Sequence, residues 1–278
     1  MFDKIETFSF PTRIVFGLGA VRQLPVCLDE IGVRRPLVVT DPGLRAAPPF
    51  GAIESALQDL GVRYDVFDGV HSNPIEEDVV QASRIYRTAG CDGVIGVGGG
   101  SAIDVAKATV VMARHEGALA DFEAQAGGME RLIGPYDPII AIPTTAGTGS
   151  EVGRSSVITS HKLKRKIIIF SPWLMPKRAI LDPELTLTQP PRVTALTGID
   201  ALAHALETYV TKRRNSLSLA FSREAWRHLA PNILRVISDP TNLPARGEMQ
   251  LGACLAGLAI ENSMLGAAHA IANPLTAT

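Results

Sequence analysis

The chain has 278 residues, of which 46% are hydrophobic and 20% charged, and its formal net charge is −1. These values exclude a disordered or fibrous chain, and they give no electrostatic reason to expect binding to nucleic acid or to an acidic membrane surface. Three scattered cysteines indicate reduced thiols, and the first ten residues lack the apolar core of a signal peptide. We therefore expect a soluble, cytoplasmic protein.

The first 183 residues alternate short apolar runs with helical patterns. Strands are predicted at residues 14–16, 37–40, 64–67, 94–97, 139–142 and 179–181, and helices at residues 50–60, 76–89 and 102–114. This alternation predicts an α/β fold with a mostly parallel sheet that helices cover on both faces. Two further apolar runs, residues 157–159 and 167–170, flank a polar stretch and predict a hairpin.

A proline-rich stretch after Pro183 marks a change to helical periodicity. Apolar residues then recur at steps of three and four from Leu196 to Val210. Further helices are predicted at residues 216–238, with Pro231 as a break or kink, and at residues 245–262. The sequence thus predicts an α/β domain of residues 1–184 followed by an all-helical domain of residues 185–278.

Three consecutive glycines, Gly98, Gly99 and Gly100, join an apolar run to a predicted helix. Glycine lets the backbone approach a ligand closely, and the N–H groups and dipole of the following helix suit a pyrophosphate. Ser101 adds a hydroxyl donor or a helix N-cap, but it stands where the third glycine of G-x-G-x-x-G would be. A phosphate loop and a plain tight turn both fit this pattern.

Two other loops offer polar groups at predicted strand ends. Asp41 is placed to bond an adenosine ribose hydroxyl, which favours NAD over NADP, although the local Asp-Pro-Gly pattern favours a simple turn. The segment IPTTAGTGSEV combines small residues with hydroxyl groups. This second loop suits either cofactor contact or a flexible polar connection.

Asp200 and His204 are four residues apart in a predicted helix, so both side chains lie on one face. His269 follows among small residues that allow close helix packing. One carboxylate and two imidazoles form a mixed oxygen and nitrogen set that suits Fe²⁺ or Zn²⁺. A surface ion pair and a hydrogen-bonded interior histidine would also explain these residues.

Five ordered segments together resemble the iron-containing (group III) alcohol dehydrogenase family: VVTD, GVGGGSAIDVAK, AIPTTAGTGSEV, LTGIDALAHALE and GAAHAIANPL. The resemblance runs from PTRIVFGLGA to the last residues. It implies a dehydroquinate synthase-like architecture and the NAD-dependent interconversion of an alcohol with an aldehyde or ketone by hydride transfer. It also implies a homodimer, with residues 14–16 at the dimer contact.

The resemblance implies a role for individual residues. NAD would be bound by Asp41, Asn73, Gly99, Gly100, Ser101, Asp104, Thr144, Thr145, Thr148 and Lys166. The metal ion, Fe²⁺ or alternatively Zn²⁺, would be held by the catalytic residues Asp200, His204 and His269.

The chain departs from the family pattern in two places. Family members continue through a histidine-glycine motif that supplies a fourth ligand, whereas this chain ends at Thr278. We therefore expect a fragment whose helical domain exposes apolar faces and whose activity alone is weak or absent. Asn273 stands where many relatives carry a histidine suited to proton relay, which leaves that route in doubt.

Four other functions remain open at this stage. A hydroxyacid–oxoacid transhydrogenase would keep its nicotinamide bound through the cycle, and a glycerol dehydrogenase would use zinc. A maleylacetate reductase-like enzyme would lack the Asp200, His204 and His269 set. A truncated, non-catalytic NAD-binding fragment is the alternative outside enzymes.

Overall fold

A computed structural model describes residues 6–59 and 61–275, apart from the side chain of Asn273. The strands are β1 (Arg13–Phe16), β2 (Pro36–Val39), β3 (Asp65–Phe67), β4 (Gly93–Gly98), β5 (Ile139–Pro143), β6 (Ser155–Ser160), β7 (Arg165–Phe170) and β8 (Arg178–Leu181). The α-helices are α1 (Leu24–Glu30), α2 (Pro42–Arg45), α3 (Pro48–Asp59), α4 (Glu76–Ala89), α5 (Gly100–Arg114), α6 (Pro191–Val210), α7 (Ser216–Leu229), α8 (Ile233–Ser238), α9 (Leu243–Glu261) and α10 (Ala267–Leu275). Residues 1–5, 60 and 276–278, which the sequence interpretation also used, lie outside the described residues.

Six strands form one sheet in the order β1-β8-β5-β4-β2-β3, and every pair in it is parallel. The central strands β2 and β4 are buried along their whole length. Leu37 and Val39 of β2 belong to one hydrophobic core and Val38 to another, because successive side chains of a strand point to opposite faces. The predicted parallel sheet with two covered faces is confirmed.

The strands β6 and β7 form an antiparallel hairpin outside the main sheet. Pairing extends from Ser155 opposite Phe170 to Ser160 opposite Arg165, so both strands are longer than their apolar runs. Polar residues at the hairpin ends continue the ladder of backbone hydrogen bonds, which side-chain hydropathy alone does not reveal. The predicted excursion is therefore a hairpin.

After residue 190 the chain is helical, and α6, α7 and α9 pack closely against one another. Their shared core is rich in alanine, including Ala201, Ala205, Ala225 and Ala253, which lets the helix backbones approach closely. The predicted helix 216–238 is divided, since α7 ends at Leu229 and α8 begins at Ile233. Pro231 lies in the gap, where its missing N–H and its ring prevent the helix from continuing.

Several elements were not predicted from the sequence. The short helices α1, α2 and α10 have too few residues for a clear apolar period. The helix α5 begins at Gly100, two residues before its predicted start, so the last of the three glycines lies in the first turn. This early start brings the helix N-terminus into the loop that follows β4.

The helices α6 and α7 expose large apolar side chains on one side. Leu196, Ile199, Leu206 and Trp226 are 45% to 60% exposed, and a surface groove runs between Leu206 and Trp226. The exposed apolar faces expected from the sequence are present. Among the helices in the described part of the chain, none has both the length and the apolar character needed to cross a bilayer.

Candidate active site

Two adjoining clefts lie at the carboxyl ends of β2, β4 and β5, and we call them the main cleft and the side cleft. Gly99, Ser101 and Thr145 line both clefts, so the two form a continuous depression. The other predicted site residues in the main cleft are Asn73, Gly100, Asp104, Thr148, Lys166, Asp200, His204 and His269. The side cleft contains the remaining two, Asp41 and Thr144. Every predicted site residue therefore lines at least one cleft, at the sheet edge where open α/β folds bind ligands.

The glycine loop carries the chain from β4 into α5. Gly98 has φ 144°, a value that side chains rarely tolerate, and Gly99 is the N-cap residue of α5. Ser101 is inside the helix, where its hydroxyl donates to the Ser72 carbonyl at 2.8 Å. Of the two tasks considered for Ser101, the structure excludes the N-cap. The free N–H groups of the first turn of α5 lie at the cleft, in the arrangement that binds phosphate groups.

Close packing requires a glycine at position 100. A Cβ atom at Gly100 would lie 2.7 Å from Cγ2 of Thr148. We expect Gly100→Ala to push the Thr148 loop away from α5 and to weaken NADH binding about 10-fold, or about 1.4 kcal/mol. A fluorescence titration with NADH measures the change.

The matched control is Gly51→Ala in α3. A Cβ atom at Gly51 meets nothing within 4 Å, so NADH affinity should not change. An unchanged affinity in the Gly100 variant would show that this approach does not shape the cofactor site.

The loop between β5 and β6 contacts both the glycine loop and His204. Its Gly147 carbonyl lies 3.3 Å from Nδ1 of His204, and its Thr148 packs against Gly100. Gly149 has φ 66°, and a Cβ atom there would lie 2.5 Å from the Cα of Gly257 in α9. The sequence predicted this loop as either a cofactor contact or a flexible connection. In the structure its backbone packs closely against α9.

A buried lysine that the sequence analysis did not single out fixes this loop. Lys107 of α5 is fully buried, and its Nζ donates to Ser150 O at 2.7 Å, Ser150 Oγ at 2.8 Å and Ser155 O at 2.9 Å. Burial lowers the pKa of Lys107, and the nearby carboxylate of Asp104 opposes that shift. A lysine among the apolar residues that follow the glycine loop was the available signal.

Asp104 shares the same network. Its carboxylate accepts from Ser150 Oγ at 2.6 Å and from the Val157 amide at 3.0 Å. Burial raises the pKa of Asp104, while Lys107 acts in the opposite direction. Asp104 thus ties α5 to the hairpin, and its predicted contact with the pyrophosphate stays a prediction.

Asp41 lies in a turn, as the local Asp-Pro-Gly pattern predicted, and it also lines the side cleft. Its Oδ1 accepts from the Leu44 amide at 2.9 Å and caps α2. Thr144 is mostly buried, and its amide donates to the Gly98 carbonyl at 3.0 Å. Both residues border the glycine loop, whereas their contacts with NAD stay predictions.

Asp200, His204 and His269 converge in the main cleft. The Oδ1 atom of Asp200 lies 3.5 Å from Nε2 of His204 and 3.2 Å from Nε2 of His269. The two imidazole rings stack with centroids 4.6 Å apart. One ligand atom from each residue lies within 4.8 Å of the others. This set of one oxygen and two nitrogen donors fits Fe²⁺ or Zn²⁺.

The environment of His204 suits a metal ligand. Burial lowers the pKa of His204, which favours the neutral imidazole that a metal requires. A carbonyl oxygen can only accept, so Nδ1 donates to Gly147 and Nε2 keeps the lone pair on the cluster side. The side chain of Asn273, with its predicted effect on proton relay, lies outside the described residues.

Sequence reasoning also missed Glu207, which contacts His269 from behind. Its Oε2 lies 2.5 Å from Nδ1 of His269. The spacing of Asp200, His204 and Glu207 along one face of α6 was a readable signal, since steps of four and three residues each come close to one helical turn.

Known proteins resemble the whole chain. A family model described as "Iron-containing alcohol dehydrogenase" matches residues 11–183, and one described as "Fe-containing alcohol dehydrogenase family, C-terminal" matches residues 194–278. Choline dehydrogenase of Bacillus subtilis is 40% identical over 98% of this chain and 68% of that protein. A 1,3-propanediol dehydrogenase of Citrobacter freundii is 39% identical over 99% of this chain and 70% of that protein.

Solved structures agree with these relatives. A 1,3-propanediol oxidoreductase superposes with a TM-score of 0.93 at 35% identity, covering 99% of this chain and 71% of that chain. A sulfoacetaldehyde reductase from Bifidobacterium kashiwanohense, solved in complex with NAD⁺, gives a TM-score of 0.88 at 30% identity, covering 98% of this chain and 71% of that chain. The chain therefore belongs to the iron-containing alcohol dehydrogenase family.

Proposed function

We propose that the protein interconverts an alcohol with an aldehyde or ketone, using NAD(H) and one divalent metal ion. The observation that carries the proposal is the convergence of Asp200, His204 and His269 in the same cleft as the glycine loop. Iron is the expected metal, with zinc as the alternative that the same donors accept. Residues 1–184 would form the dinucleotide-binding domain and residues 185–278 the helical metal-binding domain.

The cofactor would lie along the continuous depression formed by the two clefts. The first turn of α5 offers N–H groups and a positive dipole end to the pyrophosphate, with Gly99 and Gly100 allowing close approach. Asp41, which lines the side cleft, would bond the adenosine ribose. Lys166 in the main cleft adds a positive charge, and Asn73 and Thr148 add polar groups. This course would direct the nicotinamide toward the cluster of Asp200, His204 and His269.

The metal would be held by Asp200 and by the Nε2 atoms of His204 and His269. A bound metal ion supplies Lewis acidity, which lowers the pKa of an alcohol hydroxyl. The carboxylate of Asp200 contributes negative charge, and the Gly147 carbonyl fixes the tautomer of His204. The balanced reaction is alcohol plus NAD⁺ giving aldehyde or ketone, NADH and a proton, with the cofactor accepting the hydride.

We also propose that the protein is a cytoplasmic homodimer. The strand β1 is at an edge of the sheet, so one side of its backbone is available for a neighbouring chain. Phe16 on this strand is 44% exposed, which adds an apolar side chain to the same edge. Residues 14–16 would form the dimer contact. Besides the second copy of the chain, the protein would bind a small alcohol or carbonyl compound as its substrate.

A turnover assay with NADH tests the proposed activity. The chain is loaded anaerobically with Fe²⁺ or Zn²⁺ and mixed with NADH and aldehydes related to the alcohols in its relatives' names, such as 1,3-propanediol. A form that spans the full length of the relatives should consume NADH with metal present, and a chelator should stop the reaction. The chain alone should be weakly active or inactive.

Two outcomes would change this proposal. A metal-loaded protein that spans the full length of its relatives, binds NADH and reduces no aldehyde or ketone would contradict it. A nicotinamide cofactor that co-purifies and remains bound through turnover would favour the transhydrogenase alternative.

A further inference from the structure

Glu207 lies on α6 behind the metal cluster, and its side chain is almost fully buried. Its two carboxylate oxygens have separate partners. Oε2 is 2.5 Å from Nδ1 of His269, and Oε1 accepts from the Ala268 amide at 2.6 Å. A buried carboxylate with both oxygens engaged has a defined position, so the ring that it contacts is also held.

The contact determines which nitrogen of His269 faces the cluster. A carboxylate oxygen only accepts, so Nδ1 of His269 carries the hydrogen. The same rule applies to Nε2, which donates to Asp200 Oδ1 at 3.2 Å and would give up that hydrogen to bind an ion, because Nδ1 is already engaged by Glu207. The Gly147 carbonyl does the same for His204, so each histidine has its far nitrogen fixed by an acceptor.

The two acceptors differ in charge. Gly147 offers a neutral carbonyl, whereas Glu207 brings a second carboxylate to the ring that Asp200 contacts from the other side. Two carboxylates balance the charge of one divalent cation in a partly buried site, where uncompensated charge is costly. A carboxylate on the far nitrogen also increases the basicity of a ligating imidazole.

We infer that Glu207 is a positioning residue for the metal site, which holds His269 in the tautomer and orientation that expose Nε2 to the ion. This inference rests on the proposed function, because it requires that His269 ligates a metal. It adds a residue that touches neither metal nor substrate and acts through His269.

The test replaces Glu207 with Gln and measures metal affinity. A glutamine has one acceptor oxygen, so it can satisfy His269 Nδ1–H or the Ala268 amide but not both, and it carries no charge. Zn²⁺ affinity, titrated against a competing chelator, should fall about 10- to 100-fold. The visible spectrum of the Co²⁺-loaded chain should change as well, because it reports the ligand geometry directly.

The control variant is Glu248→Gln. Glu248 makes the same kind of contact with His228, at 2.6 Å from Nδ1, but on the α7 and α9 surface away from the cluster. Its replacement should leave Zn²⁺ affinity and the Co²⁺ spectrum unchanged. NADH affinity should stay at the wild-type value in both variants, which shows that each is folded.

The outcomes separate the inference from the proposed function. Wild-type protein that binds no Zn²⁺ would overturn the metal site itself. Wild-type protein that binds Zn²⁺, with an equal affinity and spectrum in Glu207→Gln, would overturn the role of Glu207 alone. If the variant does not fold, ¹⁵N NMR of the Zn²⁺-loaded wild type decides. A hydrogen on Nδ1 of His269 is expected, and metal on Nδ1 would overturn the inference.

Discussion

His204→Gln should reduce bound metal from about one ion per chain to less than about a tenth of an ion under the same loading conditions. Nε2 of His204 is one of three converging donors, and the side chain is buried in a fixed tautomer. Glutamine offers a weaker donor and cannot reproduce the position of the imidazole nitrogen. Turnover should fall at least about 1,000-fold, since the Lewis acid contributes several kcal/mol and each 1.4 kcal/mol is about tenfold.

Elemental analysis by mass spectrometry and NADH titration measure this effect. NADH affinity, compared between metal-free wild type and metal-free variant so that coupling to the metal does not enter, should remain within about twofold, because His204 contacts Gly147 and not the glycine loop itself. His228→Gln is the matched control, since His228 pairs with Glu248 outside the cluster. Wild-type metal content in the His204 variant would show that the three residues are not the ligand set.

Lys107→Met should lower the free energy of unfolding by about 3 to 5 kcal/mol. The substitution leaves the carbonyls of Ser150 and Ser155 without their donor and leaves Asp104 without its buried positive neighbour. Methionine fills most of the volume, so the loss reports the polar contacts and not a cavity. A loss of this size corresponds to a decrease in Tm of roughly 10 °C for a chain of this length.

Urea unfolding followed by circular dichroism measures the change. Lys162→Met provides the control, because Lys162 is exposed in the hairpin turn and its replacement should change stability by less than about 0.5 kcal/mol. A Lys107 variant within about 1 kcal/mol of wild type would show that the buried network contributes little to stability.

The sequence predicted the sheet well because its strands are short buried runs bounded by turn residues. β2 and β4 are recognisable from a few consecutive apolar residues, since helices cover both faces. Asp200 and His204 were recognisable because their four-residue spacing is a local property of a helix. Features that depend on neighbouring positions were therefore accessible to sequence reasoning.

The missed features depend on contacts between distant parts of the chain. Lys107 binds Ser150 and Ser155, which are 43 and 48 residues away. Glu207 and His269 are separated by 62 residues, and they meet because the helices α6 and α10 pack against each other. Side-chain type indicated the chemistry of these residues, but the partner of each was defined only by the fold.

The loop between β5 and β6 has a consequence for ligand binding. It supports His204 through Gly147, contacts the glycine loop through Thr148, and meets α9 at Gly149. A displacement at one of these contacts can therefore reach the others, because close packing leaves little free volume in the loop. The cofactor and metal sites thus contact the same loop. Any free energy of coupling between the two sites must be reciprocal: if NAD increases metal affinity by some factor, the metal increases NAD affinity by the same factor.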